Sequence, residues 1–245
     1  MAPADLRGVL IYPPRSMGLC PRDSPSQREL AAVIEHTLLA PGASPADVDR
    51  LCDEAREHHL LAVCVNGVHV RRCAERLRGS SVFVCAVVGF PLGASHPDVK
   101  VNEARVALQD GARELDMVLQ VGALRAGEHA FVAREIAAVV AEAQGARARV
   151  KVILETGLLA PAEVAAACEL SETAGAAFVK TCTGFGPRGA TREDVVLMRA
   201  SVSAHVGVKA AGGVRSARLA RELLAAGATR IGSSASLAIL AEAEG

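Results

Sequence analysis

The fold can be read from AAFVKTCTGFG (residues 176–186) and VGVKAAGGVR (residues 206–215). In each stretch a short apolar run typical of a buried β-strand ends in a lysine, Lys180 or Lys209, and a glycine-containing loop follows. An alkyl ammonium that is buried without a partner costs several kcal/mol. A lysine at the end of such a strand is therefore either exposed or functional, and two of them in successive units favour a function.

Outward from these stretches, short Val- and Ile-rich runs alternate with longer Ala-, Arg- and Glu-rich segments of helical spacing. The predicted strands are Val33–His36, Leu61–Val65, Val82–Val88, Glu114–Val118, Val150–Leu154, Ala177–Lys180, Gly207–Lys209 and Thr229–Gly232. Ser44, Thr191 and Ser216 are predicted to cap the helices that follow them, and Pro161 to lie at a helix start. Regular alternation of strand and helix predicts parallel pairing with helical crossovers.

Two α/β architectures contain such alternation: an open doubly wound sheet and a (β/α)8 barrel. Six strands usually complete the open sheet, and its G-x-G-x-x-G loop after the first strand is absent here. The chain has 245 residues, close to the roughly 250 that are typical of a barrel. We therefore expect one (β/α)8 TIM-barrel domain over residues 25–245, preceded by a mobile N-terminal arm at residues 1–24.

The composition limits the function classes. Aromatic residues are 2% of the chain, so Ala, Val, Leu and Ile must form the core. Lys+Arg and Asp+Glu are 27 each, which gives no bulk electrostatic reason for nucleic acid or an anionic membrane as partner. The seven cysteines form no C-x-x-C pair, and no apolar run approaches the ~18 residues of a membrane helix. We expect a cytoplasmic protein without structural disulfides, metal or cofactor.

The two lysines are candidates for covalent chemistry with a carbonyl compound. Attack on a carbonyl needs a free amine, and at an ordinary lysine pKa only about one side chain in 2,500 is neutral at pH 7. A second ammonium nearby lowers the pKa of such a group. We expect Lys180 as nucleophile and Lys209 as the activating charge, although the spacing leaves the reverse assignment open. The alternative is that each lysine extends its ammonium to solvent.

Other polar residues of the predicted strands could line the same cavity. Asp116 lies inside the fourth strand, where a carboxylate could balance the lysines and relay protons. It would need a cationic partner there. Thr37, Cys64 and Lys151 are expected to support the pocket.

Glycines and hydroxyl residues cluster in the last three loops, and barrels commonly bind phosphate at the loops after strands seven and eight. Backbone N–H groups and hydroxyls near helix N-termini suit a phosphate dianion. The predicted phosphate-binding residues are Thr183, Gly184, Gly212, Gly213, Gly232, Ser233 and Ser234.

Taken together, several runs resemble the deoxyribose-phosphate aldolase family. They are IEHTLLAP, LLAVCVN, VVGFPLG, ARELDMV, KVILETGLL, FVKTCTGFG, VKAAGGVR and ATRIGSSA, in the family's order. The resemblance implies a metal-independent class I aldolase that interconverts 2-deoxy-D-ribose 5-phosphate with D-glyceraldehyde 3-phosphate and acetaldehyde. It also implies that Lys180 forms the Schiff base, that Lys209 is the second lysine and that Asp116 is the proton relay.

The chain departs from the family's pattern at several positions. Glu35 stands for the usual aspartate and Gln120 for an asparagine, which we expect to alter the mouth of the pocket, and Ala235 replaces a glycine of the phosphate loop. Two alternatives stay open: a non-catalytic barrel that binds sugar phosphates, and a Schiff-base aldolase for a different phosphorylated aldehyde, which Glu35 and Gln120 allow. The expected partners are small sugar phosphates and aldehydes, and the resemblance allows a homodimer.

Overall fold

A computed structural model describes residues 25–244, so the predicted arm at residues 1–24 lies outside the described residues. Eight parallel strands close into a barrel in sequence order, with the last strand paired to the first. They are β1 (Ile34–Leu38), β2 (Ala62–Val65), β3 (Phe83–Val88), β4 (Glu114–Val118), β5 (Arg149–Ile153), β6 (Phe178–Lys180), β7 (Gly207–Ala211) and β8 (Arg230–Ser233). The fold class and all eight predicted strands are confirmed, with ends that differ by at most two residues.

Helices follow the strands on the outside of the barrel. The α-helices are α1 (Gln27–Ala31), α2 (Pro45–Glu57), α3 (Val70–Arg76), α4 (Pro97–Gln109), α5 (Val121–Arg125), α6 (His129–Gly145), α7 (Pro161–Thr173), α8 (Arg192–Ala200), α9 (Ala217–Ala225) and α10 (Ser236–Glu244). Two 3-10 helices span Gly67–His69 and Thr156–Leu158. Among the described residues, no helix has the length and apolar character to cross a membrane.

The predicted helix caps are confirmed. The Ser44 hydroxyl oxygen accepts from the Asp47 N–H at 3.2 Å, and Thr191 and Ser216 accept in the same way from the third residue that follows. Each bond satisfies one of the N–H groups that the first turn of a helix leaves unpaired. Pro161 lies in the first turn of α7, where its missing N–H has no cost.

The apolar core lies between the strands and the helices. It is built mainly from Ala, Val, Leu and Ile, as the composition predicts. The inner wall of the barrel is different, because it carries charged side chains that are also buried. At its amino-terminal end the Arg230 guanidinium lies 5.0 Å from the ring centroid of Phe178 and 5.8 Å from that of Phe83. These groups close the floor, so the strands' carboxyl ends form the mouth.

The register brings the predicted reactive residues together. Lys180 on β6 is paired with Lys209 on β7, and Asp116 on β4 is paired with Lys151 on β5. Paired residues of parallel strands point to the same side of the sheet. Three lysine side chains and one carboxylate therefore meet inside the barrel.

Candidate active site

Asp116 is the centre of the site. Its side chain is fully buried, and its Oδ2 accepts from Lys180 Nζ and from Lys209 Nζ, each at 2.7 Å. Its Oδ1 accepts from Lys151 Nζ at 3.0 Å. The structure thus gives the carboxylate three lysine partners, and Lys151 and Lys209 alone supply the cationic partner that was required. It also brings together the catalytic trio that the sequence predicts.

These lysines determine the ionisation of Asp116. Burial alone would raise the pKa of the carboxyl, but Lys151, Lys180 and Lys209 outweigh it and hold the pKa well below its usual range. Asp116 is therefore a carboxylate at neutral pH. Such a group stabilises a neighbouring cation strongly and takes up protons weakly.

Lys209 has a second carboxylate partner. Its Nζ lies 2.5 Å from Glu35 Oε2 on β1, in addition to the contact with Asp116. Burial alone would lower the pKa of Lys209, but the charges of Asp116 and Glu35 raise it above the ordinary lysine value. Lys209 is consequently an ammonium. The expectation that Glu35 changes the mouth of the pocket is wrong, because its side chain is fully buried against Lys209.

Lys151 forms the other half of the buried charge network. Its Nζ lies 2.5 Å from Glu114 Oε2 and 3.4 Å from Glu35 Oε1. Burial opposes the charge, yet the carboxylates around it raise the pKa of Lys151 well above its ordinary value. Lys151 therefore connects Asp116 to Glu35 and Glu114. This position is consistent with the supporting role predicted for it.

Two thiols lie beside the central carboxylate. Cys85 Sγ is 3.1 Å from Asp116 Oδ1, and Cys64 Sγ is 3.9 Å from Oδ2. Within residues 25–244, Glu35, Cys64, Cys85 and Asp116 are the one group close enough to share a metal ion. Both carboxylates are already bound by lysine nitrogens, so a cation there would have to displace an ammonium.

Thr37, which the sequence predicts to support the pocket, lies on β1. It is the register partner of Cys64, and its hydroxyl donates to the Glu35 carbonyl at 3.0 Å.

The last three loops form one continuous rim. The Thr181 hydroxyl after β6 donates to the Ala211 carbonyl at 2.8 Å, and the Ala190 N–H donates to the Gly212 carbonyl at 2.9 Å. The Ser233 hydroxyl donates to the Val214 carbonyl at 2.7 Å. The loops after β6, β7 and β8 are therefore hydrogen-bonded to one another. Any ligand that they bind meets a connected surface.

The residues predicted to bind phosphate occupy different positions on this rim. Gly184, Gly212 and Gly213 have φ values of 89°, 94° and 75°, which favour glycine, and Ser234 is exposed. The hydroxyl of Ser233 is bonded within the protein, to Val214 and to the Ala235 N–H.

Gly232 has a role that the sequence does not reveal. A Cβ placed on it would lie 3.0 Å from Lys209 Cε and 2.9 Å from the Ala211 Cβ. The absence of a side chain at this position makes room for the stem of Lys209. A glycine of the predicted phosphate loop therefore also shapes the lysine pair.

Other residues also lie at this end of the barrel. Glu155 lies after β5 and accepts a hydrogen bond from the Thr183 hydroxyl. Gln120 caps α5 by accepting from the Ala123 N–H at 2.9 Å. Phe90 and Phe185, from the loops after β3 and β6, make an edge-to-face contact with ring centroids 5.4 Å apart. Phe90 also packs against the small buried cluster of Cys64, Cys85 and Val87.

The family described as DeoC/LacD family aldolase matches residues 31–241. The chain belongs to this family. It is 50% identical over 213 residues to the deoxyribose-phosphate aldolase of Aciduliprofundum boonei, covering 87% of this chain and 96% of that relative. It is 52% identical over 211 residues to that of Brevibacillus brevis, covering 86% and 95%.

A solved structure supports the same assignment. The deoxyribose phosphate aldolase from Aeropyrum pernix, described as a unique tetramer, superposes with a TM-score of 0.84 at 34% identity. The superposition covers 89% of this chain and 92% of that one. Membership of the DeoC/LacD aldolases thus agrees with the barrel and with the resemblance drawn from the sequence.

Proposed function

We propose that this protein is a deoxyribose-phosphate aldolase that works through a Schiff base on Lys180. It cleaves 2-deoxy-D-ribose 5-phosphate reversibly to D-glyceraldehyde 3-phosphate and acetaldehyde. The observation that carries the proposal is the Asp116 oxygen shared by Lys180 and Lys209, each at 2.7 Å. The relatives named deoxyribose-phosphate aldolase, at about half identity over most of the chain, support the substrate.

Lys180 is the better nucleophile of the two lysines. Lys209 contacts two carboxylates and its pKa is raised, so it keeps its proton. Lys180 contacts one carboxylate, that of Asp116. This difference favours one of the two assignments that the sequence leaves open.

The charges of the barrel interior also favour a neutral amine at Lys180. Three other buried or nearly buried cations line it, namely Lys151, Lys209 and Arg230. Three buried carboxylates face them, namely Glu35, Glu114 and Asp116. These charges cancel, so a proton on Lys180 would add an uncompensated buried charge. Such a charge is costly in a medium of low dielectric constant, which supports the free amine that attack requires.

The chemistry follows from this balance. The Lys180 amine adds to the aldehyde carbon of the open-chain sugar, and loss of water from the carbinolamine gives an iminium. Cleavage of the bond between C2 and C3 sends its electron pair into the iminium, while the C3 hydroxyl loses its proton and becomes the aldehyde of D-glyceraldehyde 3-phosphate. The enamine that remains is protonated at C2, and hydrolysis of the resulting iminium releases acetaldehyde and restores Lys180.

The interior is arranged to favour that cleavage. The iminium adds one positive charge to a balanced site, and conversion to the neutral enamine removes it again. A step is accelerated when the site destabilises its starting intermediate more than the transition state that follows. The additional positive charge of the iminium has this effect, because it disappears as the enamine forms. Asp116 keeps the cation tolerable, because its carboxylate lies against the Lys180 nitrogen. Its role as proton relay, which the resemblance implies, stays a prediction, as do the homodimer and the cytoplasmic location.

A retro-aldol assay tests the proposal. Formation of D-glyceraldehyde 3-phosphate from 2-deoxy-D-ribose 5-phosphate is measured for the wild type, for Lys180→Ala and for Arg192→Ala, an exposed control on α8. We expect Arg192→Ala to match the wild type and Lys180→Ala to lose at least about ten-thousand-fold in kcat. Turnover by Lys180→Ala at the wild-type rate would refute the assignment.

The same assay separates the alternatives. A non-catalytic sugar-phosphate-binding barrel would be stabilised by the sugar phosphate and would give no product with the wild type. An aldolase for a different phosphorylated aldehyde would accept acetaldehyde and prefer another acceptor in a substrate panel.

A further inference from the structure

Glu155 occupies a strained position next to the phosphate rim. It follows the end of β5 and has a φ of 46°, in the left-handed region that a residue with a side chain rarely adopts. Its side chain is nearly buried, with 4% of the residue exposed. Such a conformation persists only where the surroundings impose it, and it is common at functional sites.

The carboxylate of Glu155 holds the loop after β6. Its Oε2 accepts from the Thr183 hydroxyl and, at 3.4 Å, from the Thr183 N–H. The Thr183 hydroxyl oxygen in turn accepts from the Phe185 N–H at 3.0 Å. Both donors of Thr183 are therefore directed at Glu155. In this arrangement Thr183 acts through the loop conformation, because its donors are already in use.

The second carboxylate oxygen packs against the same loop. A Cβ placed on Gly186 would lie 2.5 Å from Glu155 Oε1, so the loop approaches the carboxylate as closely as glycine permits. Among residues 25–244, no donor reaches this buried oxygen. A buried acceptor without a donor costs stability. This oxygen therefore contributes no hydrogen bond that would account for the burial of the carboxylate.

A shift of this loop would reach the rest of the rim. A Cβ placed on Gly189 would lie 2.3 Å from the Gly212 carbonyl oxygen, so the loops after β6 and β7 are in direct backbone contact. The Ala190 N–H donates to the same oxygen at 2.9 Å. Glu155 thus lies behind the backbone that is predicted to bind phosphate. No hydrogen bond of the described residues connects it to Lys180 or Asp116.

We propose that Glu155 is a positioning residue that fixes the phosphate-binding rim through Thr183, and so sets the preference for phosphorylated over unphosphorylated substrates. This inference rests on the proposed aldolase function. Because the carboxylate does not contact the reacting lysine, its loss should weaken phosphate recognition and leave the carbon–carbon chemistry nearly intact.

The test compares two substrates that differ only in the phosphate. kcat and KM are measured on 2-deoxyribose 5-phosphate and on 2-deoxyribose for the wild type, Glu155→Ala, Glu155→Gln and Thr183→Val. Glu163→Gln is the matched control. This glutamate belongs to the same βα unit, but it lies in the exposed first turn of α7, where its carboxylate accepts from the Ala160 N–H. Binding of inorganic phosphate is measured separately, by its inhibition constant and by the thermal shift that it produces.

The quantity compared is kcat/KM for 2-deoxyribose 5-phosphate divided by kcat/KM for 2-deoxyribose. We expect Glu155→Ala to lower this ratio by about tenfold or more, mainly by raising KM for the phosphorylated sugar. Inorganic phosphate should bind more weakly by a similar factor. Glu155→Gln should recover most of the ratio, because an amide oxygen can still accept from Thr183. Thr183→Val should reproduce the effect and add little to Glu155→Ala, so it provides the same test if Glu155→Ala does not fold.

An unchanged ratio in both Glu155→Ala and Thr183→Val, or an equal loss on both sugars, would overturn the inference. Failure of the wild type to cleave either sugar would instead refute the proposed function. The binding of inorganic phosphate to wild type and variants would still test Glu155 in that case.

Discussion

Lys180 and Lys209 donate to the same oxygen atom, Oδ2 of Asp116, at 2.7 Å each. Their nitrogens can be separated by at most twice that distance, so a proton on one opposes a proton on the other. Glu35 decides which lysine stays charged, because it contacts Lys209 alone of the two. Lys209 is therefore the lysine of this pair that keeps its proton.

Removal of the Lys209 charge should move the acid limb of the pH profile, which is the pH range in which kcat/KM falls on acidification. In Lys209→Met the interior has one carboxylate charge in excess, so the site takes up a proton more readily than in the wild type. The fall in kcat/KM on acidification should therefore begin at a pH higher by about one unit or more. The measurement is the pH profile of kcat/KM for 2-deoxyribose 5-phosphate.

Lys209→Arg is the control for that profile. It keeps the charge, so its acid limb should stay near that of the wild type even if altered geometry reduces the rate. An acid limb that does not move in Lys209→Met, or that moves to lower pH, would contradict the charge-balance account.

Gly232 should tolerate no side chain. In Gly232→Ala the new Cβ would lie 3.0 Å from Lys209 Cε and 2.9 Å from the Ala211 Cβ, so the lysine stem must shift. We expect kcat to fall by roughly tenfold to a hundredfold, with a loss of about 1–3 kcal/mol in the free energy of unfolding. Steady-state kinetics and urea unfolding measure the two effects.

Gly145→Ala is the matched substitution for this comparison. No atom lies within 4 Å of a Cβ at this exposed end of α6. Its activity should equal that of the wild type, and its stability should be equal or slightly higher. Full activity in Gly232→Ala would show that contact with Lys209 does not limit the reaction.

The buried pair of Lys100 and Glu135 should matter for stability rather than chemistry. Lys100 Nζ on α4 lies 2.7 Å from Glu135 Oε1 on α6 and 2.8 Å from the Val118 carbonyl oxygen. Burial lowers the pKa of Lys100 and raises that of Glu135, although each partner opposes the shift. Lys100→Met leaves the buried Glu135 carboxylate without its ammonium partner, with only the Gln120 N–H at 3.2 Å, and should cost about 3–5 kcal/mol in the free energy of unfolding.

A double variant distinguishes the lost pair from lost packing. In Lys100→Met with Glu135→Leu no buried charge remains, so stability in urea should return to within about 1–2 kcal/mol of the wild type. Equal destabilisation of the single and double variants would show that the cost lies in packing.

Most of the fold could be predicted from the sequence. Each strand is a local run of apolar residues between turn signals, and the alternation with helices fixes parallel pairing, so all eight strands were expected. Lys180, Lys209 and Asp116 were also expected, because each lies in a strand that should be apolar. A charge in such a place is visible without any knowledge of its partners.

The partners themselves were not predictable. Glu35 and Lys209 are 174 residues apart in the chain, and their contact depends on the register between β1, β8 and β7. Glu155 lies after its strand in a conformation that glutamate seldom adopts, so neither spacing nor propensity places it behind Thr183. In the sequence, nothing distinguishes Gly232 from an ordinary loop glycine. Its contact with Lys209 follows only from the closed barrel.

The most direct test of the central claim uses the small number of lysines. The chain contains four, Lys100, Lys151, Lys180 and Lys209, and all are buried. Incubation with acetaldehyde and sodium borohydride, followed by peptide mass spectrometry, locates any reduced Schiff base. We predict one ethyl adduct at Lys180, absent in Lys180→Ala and distinct from any reaction at the N-terminal amine. An adduct at Lys209 with none at Lys180 would contradict the account.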